Sequence, residues 1–123
     1  MLYHGGMPAR VLIVDDNPRF RVRARRWLEA DGYSVVGEAA DGASALEAAK
    51  RHRPTVVLLD VCLPDMSGLA VAESLAREPE PPAVVLTSTQ DATDFGERLT
   101  NCGARGFVPK AELWGERLSA LLP

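Results

Sequence analysis

Cysteine is scarce in this 123-residue chain, and its two copies, Cys62 and Cys102, have no Cys-x-x-Cys spacing and no histidine cluster beside them. That pattern disfavours a disulfide framework and a zinc site alike. Long apolar runs are missing too: none exceeds four or five residues, against the roughly 20 needed to cross a bilayer. The opening Met1 to Pro8 (MLYHGGMP) lacks the apolar stretch of a signal peptide. A positive balance is also absent, since 14 Lys+Arg face 17 Asp+Glu for a net charge of −3, which disfavours a dedicated nucleic-acid binder. No Gly-x-Gly-x-x-Gly or Gly-x-x-x-x-Gly-Lys loop is present, so a nucleotide cradle of those kinds is excluded. The expectation is a soluble, reduced, cytoplasmic protein with no membrane and no direct nucleic-acid role.

What is present is ordinary globular material, 46% hydrophobic and 25% charged, enough for one domain that needs no staple to fold. Short runs rich in branched residues alternate with amphipathic stretches. The runs are Val11–Val14, Ser34–Ala39, Thr55–Leu59, Ala83–Leu86 and Gly106–Val108. Four are almost continuously apolar, which predicts strands covered on both faces of a parallel sheet; the more polar second run (SVVGEA) reads as an edge. Between the runs lie helix signals. Asn17-Pro18 caps a first helix with Phe20, Ala24, Trp27 and Leu28 at helical spacing, stopped at Asp31-Gly32. Asp41 caps a second, with Ala45, Leu46 and Ala49 inward and an end before Pro54. Ser67 or Gly68 opens a third (GLAVAESLAREPEPP) that the prolines terminate. Asp91 or Thr93 opens a fourth with Phe95 and Leu99 inward, closed at Gly103. A last helix is expected over 111–122, with Leu113, Trp114, Leu118 and Leu121 as its apolar set. Five strand and helix pairs predict an open, doubly wound α/β fold.

The strands stop on polar residues. Val-Leu-Ile-Val runs into Asp15-Asp16, Val-Val-Leu-Leu into Asp60, Val-Val-Leu into Thr87-Ser88, and Phe107-Val108-Pro109 into Lys110. In a parallel sheet these ends share one rim, where open α/β folds bind ligands. Two carboxylates about 5 Å apart repel by roughly 3 kcal/mol at an effective dielectric of about 20, so a proton or cation must be shared. All-oxygen ligands on a solvated rim suit Mg²⁺. A carboxylate beside that ion is a competent nucleophile toward phosphorus.

At these residues the chain resembles the receiver domain of the two-component response regulators. The resemblance runs from about Arg10 to Leu122 and rests on Asp15-Asp16 after LIV, Asp60 in LLDVCLPDMSG, Thr87 in VVLTS and Lys110 in GARGFVPK, with Pro64 and Gly68 matching the loop signature. It implies a flavodoxin-like strand order 2-1-3-4-5, a domain over 10–123 and a short extension over 1–9. Asp60 resembles the phosphoacceptor. Asp15, Asp16, Asp60 and the backbone carbonyl of Cys62 resemble the Mg²⁺ ligands. Thr87 resembles the switch hydroxyl, Lys110 the phosphate-binding lysine, and Phe107 the switch aromatic, here without a hydroxyl. Proline precedes Lys110 where many relatives have it afterwards. Cys62 and Thr89 occupy positions that tune phosphoryl lifetime in the family. The implied role is a phosphorelay switch and not a turnover enzyme, catalysing only its own phosphorylation and dephosphorylation. Its partners would be a histidine kinase or phosphotransfer protein, plus a downstream effector or second copy on the face built from the fourth helix, fifth strand and fifth helix. The chain would act alone or as part of a longer regulator.

Plainer readings stand beside these. Asp15-Asp16 can cap the first helix, Thr87 competes with Ser88 for the site, and Lys110 can be a surface lysine. Yet lysine occurs only at Lys50 and Lys110 against twelve arginines, which singles out the last strand's end. Arg19, Arg21, Arg23, Arg25 and Arg26 read as a solvated helix face or a kinase-docking surface rather than a nucleic-acid patch. Trp27 and Trp114 read as packing, and both cysteines as buried or half-buried thiols. The rival functions are a small Mg²⁺-dependent phosphatase or phosphotransferase with an aspartyl-phosphate intermediate, and a flavodoxin-like cofactor binder.

Overall fold

The computed structural model describes residues 9–89, 95–114 and 116–122. Five parallel strands, β1 (Arg10–Val14), β2 (Ser34–Ala39), β3 (Val56–Asp60), β4 (Ala83–Ser88) and β5 (Gly106–Pro109), pair in the order β2-β1-β3-β4-β5. The expected order is therefore present, with the polar β2 at an edge. The helices are α1 (Pro18–Ala30), α2 (Gly42–His52), α3 (Gly68–Ala76), α4 (Arg98–Asn101) and α5 (Glu116–Leu121). None of the described helices is long and apolar enough to cross a membrane.

Alternate residues of each strand point to opposite faces, which is why the central strands are apolar throughout. Leu12, Val14, Val57, Leu59, Val84 and Leu86 pack with Ala45 of α2 and Leu69, Ala72 and Leu75 of α3. Val11, Ile13, Val56, Leu58, Val85 and Val108 pack with Ala24 and Leu28 of α1 and with Leu118 of α5. Helices thus cover both faces, and the strand termini are left to open on one rim.

Local chemistry sets the helix ends. Asn17 Oδ1 accepts from the backbone N–H groups of Arg19 and Phe20 (3.0 and 3.4 Å), with Pro18 in the first turn. Asp41 Oδ1 accepts from Ser44 N–H at 2.8 Å, and Ser67 Oγ from Leu69 N–H at 3.1 Å. Gly32 closes α1 in the left-handed region at φ 92°. Arg53 does the same for α2 at φ 46°, a conformation that costs an L-residue roughly 1–2 kcal/mol. Its carbonyl accepts from the Arg10 guanidinium at 2.8 Å and its side chain is exposed. Arg53→Gly removes that penalty and keeps the carbonyl, against about 0.5–1 kcal/mol of extra unfolded-state entropy. A net gain of about 0.5–1 kcal/mol is expected, read as a higher denaturant midpoint at unchanged slope.

The third helix ends at Ala76, ahead of the prolines that begin at Pro79, as expected. One expectation needs correction. The last helix is not continuous over 111–122: a 3-10 turn spans Lys110–Glu112, and α5 begins only at Glu116. Pro109 (φ −57°, ψ 142°) sends Lys110 directly from the strand into that turn. The proposed caps Asp91 and Thr93 lie outside the described residues; α4 spans four residues, and Phe95 and Leu99 pack on the core as expected.

Candidate functional site

The strand ends bring the predicted residues together. Asp15 follows β1 and is fully buried; its N–H donates to the Ala39 carbonyl at 3.0 Å. Its Oδ1 accepts from the Asn17 N–H at 2.9 Å, so the helix-capping loop itself aims the carboxylate. Asp16 is exposed at the rim. Asp60 ends β3 at 5% exposure, and its Oδ1 accepts from the Cys62 N–H at 3.0 Å. One carboxylate oxygen from each of Asp15, Asp16 and Asp60 lies within 4.8 Å of the other two.

Lys110 enters from β5. Its Nζ lies 2.6 Å from Asp15 Oδ2 and 3.4 Å from Asp60 Oδ2. Burial opposes the charge on this ammonium, but its close approach to Asp15 and the fields of both carboxylates outweigh it and raise its pKa. Asp60 goes the other way for a carboxylate: burial, with the Asp15 charge adding to it, outweighs the Cys62 N–H and Lys110 and lifts its pKa from 3.8 to about 6.

Thr87 is the register partner of Asp60 on the adjacent strand, so their side chains share a face of the sheet. Its hydroxyl is fully buried and has no hydrogen-bond partner among the described residues. An unsatisfied buried hydroxyl costs about 1–3 kcal/mol, which marks Thr87 as a group waiting for an acceptor. Phe107 is half-buried, with its ring 6.2 Å from that of Phe95. Thr89 is exposed beyond the end of β4. Cys62 lies in the loop after β3 with an exposed side chain, not the buried or half-buried thiol expected, because β3 ends at Asp60 and the chain has left the sheet; Cys102 is buried.

Two contributors escaped the sequence reading. Asp65 accepts from the N–H groups of Gly42 and Ala43 at 2.7 and 3.0 Å, pinning the loop after β3 to the start of α2, and these bonds lower its pKa. The Pro64-Asp65 pair is a turn signal, but which helix it would reach is not written in the local sequence. Phe20, read only as core, has its ring centroid 4.4 Å from Lys110 Nζ. The arginine face of α1 is also less free than expected. Arg21 and Arg25 pair with Glu38 at 3.0 and 2.8 Å, Arg25 with Glu29 at 3.4 Å, and Arg21 donates to the Asp15 carbonyl at 2.6 Å.

The family model for the response regulator receiver domain matches residues 11–120. The chain is a receiver domain. It is 37% identical to the signal receiver domain of the putative response regulator NarL from Mycobacterium tuberculosis, with a TM-score of 0.83 and coverage of 94% of this chain and 98% of that one. It is 38% identical over 91% of its length to a putative transcriptional regulator of Pseudomonas aeruginosa, covering 54% of that protein. It is also 38% identical over 85% of its length to the transcriptional regulatory protein PdtaR of Mycobacterium tuberculosis, covering 50% of it. This receiver domain therefore spans about half the length of those curated relatives.

Proposed function

We propose that Asp60 is the phosphoacceptor of a two-component switch. The supporting observation is the single ammonium of Lys110 set 2.6 Å from one buried carboxylate and 3.4 Å from another, within a cluster of three. A carboxylate oxygen of Asp60 attacks phosphorus of a phosphohistidine on a kinase or phosphotransfer protein, or of a small acyl phosphate. The bond from phosphorus to the donor's imidazole nitrogen or acyl oxygen breaks, and the donor leaves with that electron pair. Lys110 and the Thr87 hydroxyl then bind the transferred oxygens, satisfying the orphaned hydroxyl and drawing Phe107 inward behind Thr87.

Receiver domains bind Mg²⁺ in an acidic pocket, and this donor set fits one: three carboxylate oxygens within 4.8 Å of one another, with Asp16 open to water. Asp15, Asp16, Asp60 and the Cys62 carbonyl would hold the ion. Bound there, it would neutralise charge on the phosphoryl oxygens. The switched surface is the face formed by α4, β5 and α5, and its reader is a downstream effector, a further domain of a longer regulator or a second copy, in the cytoplasm. The protein turns over no other substrate on this reading.

Acetyl phosphate with Mg²⁺ is expected to add about 80 Da to the intact protein, an adduct prevented by chelation before addition and absent in Asp60→Asn. An adduct that persists in Asp60→Asn, or none in the unsubstituted protein, overturns the assignment.

A further inference from the structure

Lys110 has a third neighbour besides its two carboxylates. The ring of Phe20, in the first turn of α1, lies with its centroid 4.4 Å from the ammonium. The side chain of Lys110 is 17% exposed, so the contact is made largely out of water, where a cation over a ring face is most strongly held. The ring's position is itself constrained. Trp114, four residues beyond Lys110, packs against Phe20 at 5.8 Å between centroids and against Trp27 at 5.9 Å. The Arg23 guanidinium covers Trp114 at 4.9 Å. Phe20 is thus clamped between the ammonium at one end of the 3-10 turn and the indole just past the other.

This arrangement bears on a conflict of charges in the pocket. Asp15 is the nearest anion to Lys110, yet it also belongs to the carboxylate cluster that suits a divalent cation. An ammonium and a metal ion drawn to one carboxylate repel each other. A ring face attracts the ammonium without offering a ligand to the metal, so it gives Lys110 a partner for which the two cations do not compete. We propose that Phe20 is a positioning residue for Lys110, its ring face holding the ammonium in the pocket beside Asp60. The consequence for phosphoryl capture rests on the reading of Asp60 given above; the contact itself does not.

Two measurements on the full chain separate these. With only two lysines in the sequence, isotopic labelling of lysine gives two sets of ε-methylene signals in NMR spectra. The Lys110 set is expected to be shifted upfield by the ring in the unsubstituted protein and in Phe20→Tyr, and to move toward the Lys50 position in Phe20→Leu. With acetyl phosphate and saturating Mg²⁺, the concentration giving half-maximal labelling is expected to rise about threefold to tenfold in Phe20→Leu and to stay near the starting value in Phe20→Tyr. The plateau rate should change less. Lysine signals unmoved by Phe20→Leu overturn the proposal, as do equal labelling curves in all three proteins. Phe20→Tyr behaving like Phe20→Leu also overturns it, since loss of shape rather than of the ring face would then be the cause. If the unsubstituted protein takes no phosphoryl group, the phosphoacceptor reading falls, and the NMR signals still decide the contact.

Discussion

Gly68→Ala is expected to destabilise the protein by about 3 kcal/mol or more, lowering the melting temperature by about 10 °C. Gly68 opens α3, and inside a helix alanine would ordinarily be better than glycine by up to about 1 kcal/mol. The sign is reversed here by space. A Cβ at this position would sit 2.1 Å from the carbonyl oxygen of Asp60 and 2.8 Å from Val61 Cα. Both are backbone atoms, so no side chain can turn aside to make room. The Gly68 N–H also donates to the Val61 carbonyl at 2.7 Å, and displacement would lengthen that bond. The helix start is thus pressed against the peptide that follows Asp60, and any relief moves the loop after β3. Calorimetry and circular dichroism of the variant check the loss. A melting temperature equal to or above that of the unsubstituted protein would show that the close approach is not a constraint, and would free the loop signature from a steric explanation.

Gly68 also shows how far the sequence could be read. Its spacing after Asp60 placed it within a recognisable loop, but spacing alone does not reveal that a backbone oxygen lies where its side chain would be. The strands were legible because burial on both faces demands nearly unbroken apolar runs, and Val11–Val14 could hardly be anything else. Their polar ends were legible for the same reason: Asp60 follows Leu59 with no intervening turn, so it must sit at the mouth of the sheet. The C-terminal segment was misread because Leu113, Leu118 and Leu121 keep helical spacing across a break that Pro109 and the 3-10 turn impose. Asp65 and Phe20 were missed because each acts on a residue distant in the chain, Gly42 in one case and Lys110 in the other. Local pattern carries elements and their ends; contacts between loops from different crossovers are set by the assembled rim.

Asp60→Asn is expected to make the metal-free protein more stable at pH 7.5 by about 2 kcal/mol while abolishing phosphoryl uptake. The Asp60 carboxyl titrates at about 6 in the folded chain, against 3.8 ordinarily, because burial and the Asp15 charge disfavour its anion. A folded pKa above the unfolded one means that the native state binds the proton more tightly. The contribution to stability is therefore complete below about pH 4 and is lost as pH rises through about 6. The full shift corresponds to roughly 3 kcal/mol, and some is returned by water at the open rim, leaving about 2 kcal/mol. Asparagine is nearly the same shape, carries no charge and leaves Lys110 its shorter contact with Asp15. Denaturant midpoints taken with a chelator present should coincide for the two proteins near pH 4 and separate in favour of Asp60→Asn toward pH 7.5. A variant less stable than the unsubstituted protein at pH 7.5 would mean that the Lys110 contact at 3.4 Å outweighs the crowding of charge. In the expected case the pocket holds an excess of negative charge at neutral pH. A divalent cation would relieve that excess, which ties its binding to stability as well as to chemistry: added Mg²⁺ should raise the midpoint of the unsubstituted protein more than that of Asp60→Asn.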